Sequence, residues 1–251
     1  MPFQSLCLIG VVALWLGVVA SCGGGEGDGS EQSPSTPSQR SNATVKIMPL
    51  GDSITQSVKG LNSYRYYLWH LLIDAGFRPD FVGSLHGVGG GPPANADFDM
   101  DHEGHAGWRA DEILAQTQRW ATEASPDFVL LHIGTNDLSQ GQSVDSTVKD
   151  IGGIIDALRA VNPRIRILVA QIIPKSGMPS VAVLNGKLPA LVADKQEVDS
   201  PIVLVDQYTG FDTSSMTFDG THPNAVGDSR IADRWFEQLT PVLDAFLTAS
   251  P

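Results

Sequence analysis

Residues 128–133, Phe-Val-Leu-Leu-His-Ile, carry apolar side chains at odd and even positions alike. A strand built from such a run is buried on both faces, as happens in a parallel sheet covered by helices on each side. Apolar runs of similar character recur at residues 45–50, 164–173 and 202–206, and a shorter one at 81–84. Between them, apolar residues recur at helical spacing: Leu68, Leu71, Leu72 and Ala75 in a helix expected over 64–75, with further helices expected over 110–122, 144–160, 181–197 and 224–247. Gly186 and Pro189 predict a kink in the fourth of these, and Pro241 a break in the last. Strands alternating with helices at these lengths predict an α/β fold, a three-layer α/β/α sandwich around a five-stranded parallel sheet with right-handed crossovers. The glycine- and proline-rich residues 85–107 read as one long loop, and loops of that length inside a domain usually serve function.

The first run ends abruptly in Gly51-Asp52-Ser53-Ile54-Thr55. Open α/β sheets place their ligands at the C-terminal ends of the strands, so Ser53 is delivered where a nucleophile would be useful. A serine hydroxyl is weak alone and needs a base and an oxyanion site. Asp219-Gly220-Thr221-His222-Pro223-Asn224 offers both a carboxylate and an imidazole, and Pro223 favours a fixed turn that lets Asp219 orient His222. Gly134-Thr135-Asn136-Asp137 offers a neutral amide donor after a second apolar run. The structural alternatives are an N-capping Asp219, a surface His222 and a turn-forming Asn136. Asp52 and Asp137 read as braces for the turns that carry Ser53 and Asn136.

Taken in order, GDSIT, GHAGW, GTND and DGTHPN resemble the four blocks of the GDSL, or SGNH, hydrolase superfamily over residues 45–245. MPLGDSIT, Tyr64-Arg65, DFVGS, DHEGHAGWRADEI and LLHIGTNDL are similar to the carbohydrate esterase branch of family 3, which deacetylates xylan. The resemblance implies a flavodoxin-like strand order 2-1-3-4-5, a catalytic Ser53-His222-Asp219 set, and an oxyanion hole of the Ser53 N–H, Gly107 and Asn136. Gly104 is a rival to Gly107 in the same stretch. Tyr64, Arg65 and Trp108 are candidate substrate-contacting residues, with helix initiation and simple packing as their structural alternatives. The implied activity is hydrolysis of short-acyl, chiefly acetyl, esters on carbohydrate. The alternatives are a lipase or lysophospholipase of the same superfamily and an inactive carbohydrate-binding protein on this fold.

Asp101-His102-Glu103-Gly104-His105 has the residue types of a divalent-metal site, but no His-Glu-x-x-His helix accompanies it. The reading therefore calls for no catalytic metal and no cofactor, with a structural calcium held by the carboxylates of the Asp97 to Asp101 loop as an open alternative. His132 reads as a core histidine, His70 and His86 as surface ones. Gly227-Asp228-Ser229 repeats the triplet inside a helical pattern with no strand before it, and no Gly-x-Ser-x-Gly surrounds Ser53. A formal charge of −12 disfavours nucleic acid and anionic membranes as partners.

The two cysteines, Cys7 and Cys22, precede the folded region. Residues 6–20 are apolar but short of the ~20 needed to span a bilayer, which reads as a signal h-region. Val19-Ala20-Ser21-Cys22 resembles a bacterial lipobox, although no Lys or Arg precedes the apolar run. The expected organisation is a lipoprotein-type signal peptide over 1–21, a Gly/Ser/Pro tether over 22–43 and one hydrolase domain over 44–251. Export follows from this, with membrane contact only through a lipidated Cys22 or else secretion.

Overall fold

The computed structural model describes residues 43–249. The expected signal segment, lipobox and nearly all of the tether lie outside the described residues. The strands are β1 (Val45–Gly51), β2 (Pro79–Phe81), β3 (Leu85–His86), β4 (Asp101–Gly104), β5 (Phe128–His132), β6 (Arg166–Gln171) and β7 (Ile202–Asp206). The helices are α1 (Ser53–Gln56), α2 (Ser63–Asp74), α3 (Ala110–Ala124), α4 (Thr135–Ser139), α5 (Val144–Val161), α6 (Ser180–Asp194), α7 (Thr213–Met216) and α8 (Ala225–Ala249).

β1 pairs in parallel with β5, β5 with β6, and β6 with β7. The other edge of β1 is shared by two short strands. β2 pairs with Val45–Ile47, and β4 pairs with Leu50 and Gly51. The five parallel positions thus follow the expected order, but the sheet has seven strands because one position is split and β3 adds antiparallel to β4. β3 and β4 lie inside the stretch expected to be a loop. β4 escapes a search for apolar runs because its buried side chains are polar: His102 and Glu103 are each 1% exposed.

Period-two alternation divides the strands between two cores. Met48, Leu50, Val129, Leu131, Ile167 and Val169 face α3, α5 and α6. Val45, Ile47, Phe128, Leu130, Leu168 and Ala170 face α2 and α8. Each fully buried Leu, Ile, Val or Phe contributes about 1.5–3 kcal/mol, and this double burial is what makes the apolar runs continuous. α6 continues through Pro189 and α8 through Pro241. Each proline removes one backbone hydrogen bond, but Leu188 beside Pro189, and Leu239 and Leu243 around Pro241, anchor the helices on the sheet.

Candidate active site

β1 ends at Gly51, where a side chain has no room: an added Cβ would lie 2.2 Å from the His132 carbonyl oxygen. Asp52 follows and caps α1, its Oδ1 accepting the Ile54 N–H at 2.9 Å. Ser53 is the first residue of that single turn and is partly exposed at the C-terminal edge of the sheet. Burial pushes the Asp52 carboxyl up to about 7, the Ile54 N–H and His222 opposing.

The Ser53 Oγ lies 3.0 Å from His222 Nε2. His222 Nδ1 lies 2.7 Å from Asp219 Oδ2, and the other carboxylate oxygen accepts the backbone N–H groups of His222 at 2.7 Å and Thr221 at 2.9 Å. Partial burial works to raise the Asp219 carboxyl, but these hydrogen bonds outweigh it and leave it below the ordinary value. An ionised carboxylate only accepts, so Nδ1 carries the imidazole proton and Nε2 is free to accept the Ser53 hydroxyl proton. The turn is fixed by its own backbone. Phe218 N donates to the His222 carbonyl at 3.0 Å, Thr217 bridges to Pro223, and Gly220 supplies a φ of +82°. The three side chains predicted to act together are therefore joined in one relay.

Gly107 and Asn136 are held against the same edge. His105 N donates to the Gly51 carbonyl, and Ala106 N donates to Gln56 Oε1 at 3.2 Å, which straps the loop to α1. Gly107 is exposed at φ +84°, and its N–H has no protein acceptor among the described residues. Asn136 Nδ2 donates one hydrogen to the Trp108 carbonyl at 3.0 Å and keeps a second to offer. The Gly104 N–H, by contrast, is taken: it donates to His102 Nδ1 at 2.8 Å. Gly104 is a close-packing glycine: an added Cβ would come within 2.5 Å of Gln56 N. Burial drives the His102 imidazole down to about 2, so it stays neutral and serves as that acceptor.

Tyr64 and Arg65 do not contact substrate from an open pocket, since each is 0% exposed. The Arg65 guanidinium donates to the carbonyls of Thr55, Gln56, Gly87 and Met100. Burial lowers it to about 10, and its role is to tie α1 to the segment between β2 and β4. Trp108 is half-buried and stacks on His105, whose ring is itself stacked on Trp120 with centroids 4.4 Å apart. His105 Nε2 is 2.9 Å from Glu103, whose carboxylate also accepts from Ser84. Asp101 pairs with His86 and Asp99 accepts from Phe81 N, so the polar side chains of the suspected metal segment are committed to one another. Among the described residues no group of three or more His, Cys, Asp or Glu converges as metal ligands.

Asp137 binds the first N–H of α3, Ala110 N, with both oxygens at 3.0 Å, and burial raises it to about 6. Gln56 and Gln140 escaped the sequence reading. Gln140 Nε2 donates to the Gly107 carbonyl at 2.8 Å, and a lone glutamine just past the end of α4 gives no periodic signal of such a task.

The model of the GDSL-like Lipase/Acylhydrolase family matches residues 50–230, which span every one of these groups. The chain belongs to this family. A carbohydrate esterase family 3 structure from Talaromyces cellulolyticus superposes with a TM-score of 0.73 at 33% identity, covering 80% of this chain and 99% of that one. A family 3 carbohydrate esterase from Clostridium thermocellum gives 0.73 at 32% identity, covering 82% and 100%. A multidomain esterase of Ruminococcus flavefaciens is 29% identical over 238 residues, 84% of this chain but 31% of that protein. This GDSL-family chain therefore spans about a third of that relative's length.

Proposed function

We propose that this GDSL-family protein is a serine esterase that removes short acyl groups, chiefly acetyl, from carbohydrate. The observation that carries the proposal is the Ser53–His222–Asp219 relay, with hydrogen bonds of 3.0 and 2.7 Å at the open edge of the sheet. The Ser53 Oγ attacks the ester carbonyl carbon while its proton passes to His222 Nε2. The carbonyl oxygen becomes an oxyanion, which accepts from the Ser53 and Gly107 N–H groups and from the second hydrogen of Asn136 Nδ2. Collapse breaks the bond to the alcohol oxygen, which leaves with the proton from Nε2. Water then attacks the acyl-serine while giving one proton to Nε2, and collapse breaks the bond to the Ser53 Oγ, which takes that proton from Nε2 as the carboxylic acid leaves. Asp219 holds the tautomer and stabilises the imidazolium throughout.

The preference for short acyl groups on sugar is supported by the likeness to the family 3 structures. The family 3 relatives are carbohydrate esterases, and a chain of formal charge −12 suits a neutral polymer better than an anionic one. Reaction with an organophosphonate should label Ser53, and the labelled protein should lose all hydrolysis. In parallel, acetyl esters should be cleaved far faster than esters of eight or more carbons, with acetate released from acetylated xylan. Rates climbing with acyl length and no acetate from the polymer would replace this reading with a lipase. Binding to the polymer without labelling would replace it with a carbohydrate-binding protein. We further propose export and lipid anchoring through Cys22.

A further inference from the structure

We propose that Phe218, with Val58 in the same cleft, forms the subsite for the alcohol portion of the substrate and receives the apolar face of a sugar ring. This assignment rests on the esterase reading above and deepens it. His222 Nε2 delivers the proton to the departing alcohol oxygen, so the alcohol must lie beside His222. The oxyanion donors come from the Gly107 and Asn136 loops, on other elements. Residues that flank the imidazole and share its cleft with Ser53 therefore border the alcohol.

Phe218 and Val58 are such residues. The Phe218 ring lies nearly parallel to the His222 ring, at 16° with centroids 5.7 Å apart, yet Phe218 is 53% exposed. Val58 is 41% exposed in the same cleft. The backbone under both is fixed: the Phe218 N–H is bonded to the His222 carbonyl, and the backbone of Ser57 and Lys59 on either side of Val58 is paired with Gly89. An aromatic ring stacked on the imidazole and half uncovered next to the proton donor is suited to stacking on the C–H face of a pyranose. By contrast, the polar side chains of the residue 85–107 segment are largely spent internally: Asn95 on Asn62, Asp99 on Phe81, Asp101 on His86.

The test compares kcat and KM of the full protein and its Phe218→Ala, Phe218→Leu and Phe218→Trp variants on two substrates. One is an acetylated xylo-oligosaccharide, the other ethyl acetate, whose alcohol is too small to stack. The expected result is that Phe218→Ala and Phe218→Leu lower kcat/KM on the oligosaccharide about tenfold more than on ethyl acetate, mainly through KM, and that Phe218→Trp restores it. Equal losses on both substrates would overturn the assignment and make Phe218 a support for His222. Equal retention on both would overturn it by showing no contact. Wild-type protein that cleaves ethyl acetate but releases no acetate from the oligosaccharide would overturn the carbohydrate reading itself, and this assignment with it.

Discussion

Asp52 stands next to Ser53, is 0% exposed, and has one oxygen, Oδ2, with no hydrogen-bond partner. Its carboxyl goes from an ordinary value of 3.8 to about 7 on folding, because burial penalises the anion. The folded state therefore holds a proton that the unfolded chain has released over that interval. The stability contributed by the neutral acid is fully present below about 3.8 and is lost as pH rises through about 7. A shift of about three units at ~1.4 kcal/mol each amounts to ~4 kcal/mol. Asp52→Asn keeps the acceptor for the Ile54 N–H and cannot ionise. Its stability relative to the wild type should then rise by about 4 kcal/mol between pH 4 and pH 8, whatever constant cost the new amide adds. Urea unfolding of both proteins across that range, followed through the buried Trp120 and Trp235, measures the difference directly. A difference independent of pH would refute the claim that Asp52 is held as a buried, largely unpaired acid.

Asn136→Ala should lower kcat by about 10²–10³ with little change in KM, because the freed amide hydrogen acts on the transition state; steady-state kinetics with an acetyl ester decides, and a loss confined to KM would make Asn136 a binding residue. Gly104→Ala should destabilise by about 1–3 kcal/mol in urea, since its Cβ meets the backbone of Gln56 and Thr55 rather than a movable side chain, and unchanged stability would contradict that packing. The full-length protein expressed in bacteria should partition into detergent with a mature N-terminus at Cys22, and N-terminal mass spectrometry showing cleavage elsewhere would end the anchoring proposal.

What could be read from the sequence was what apolar runs and short motifs encode. β1, β5 and β6 announce themselves because both faces of each are buried, β7 because its run over residues 202–205 is apolar although Val203 and Leu204 are only partly covered, and Gly51-Asp52-Ser53 marks the point where β1 must stop. The three relay residues could be paired because a turn three residues long leaves Asp219 and His222 little freedom. β4 could not be read, because a strand whose buried side chains are His102 and Glu103 breaks every hydrophobic pattern. Its polarity is tolerated through specific partners, Gly104 and Gly87 for His102, Ser84 and His105 for Glu103, that are distant or unordered in sequence terms. Arg65 was misread for a related reason. An arginine opening a helix is ordinarily exposed, and only the fold brings the carbonyls of Thr55, Gln56, Gly87 and Met100 around it. Likewise, no motif states that the Gly104 N–H is spent on His102.

In the proposed mechanism Ser53 is the nucleophile and His222 serves it as base. Turnover of a saturating acetyl ester by Ser53→Ala, with folding verified by its urea midpoint, tests it most directly. The account predicts a fall in kcat of several orders of magnitude, to roughly the 10³–10⁴-fold acceleration over water that binding and oxyanion donors alone provide. Hydrolysis by Ser53→Ala at close to the wild-type rate would contradict it.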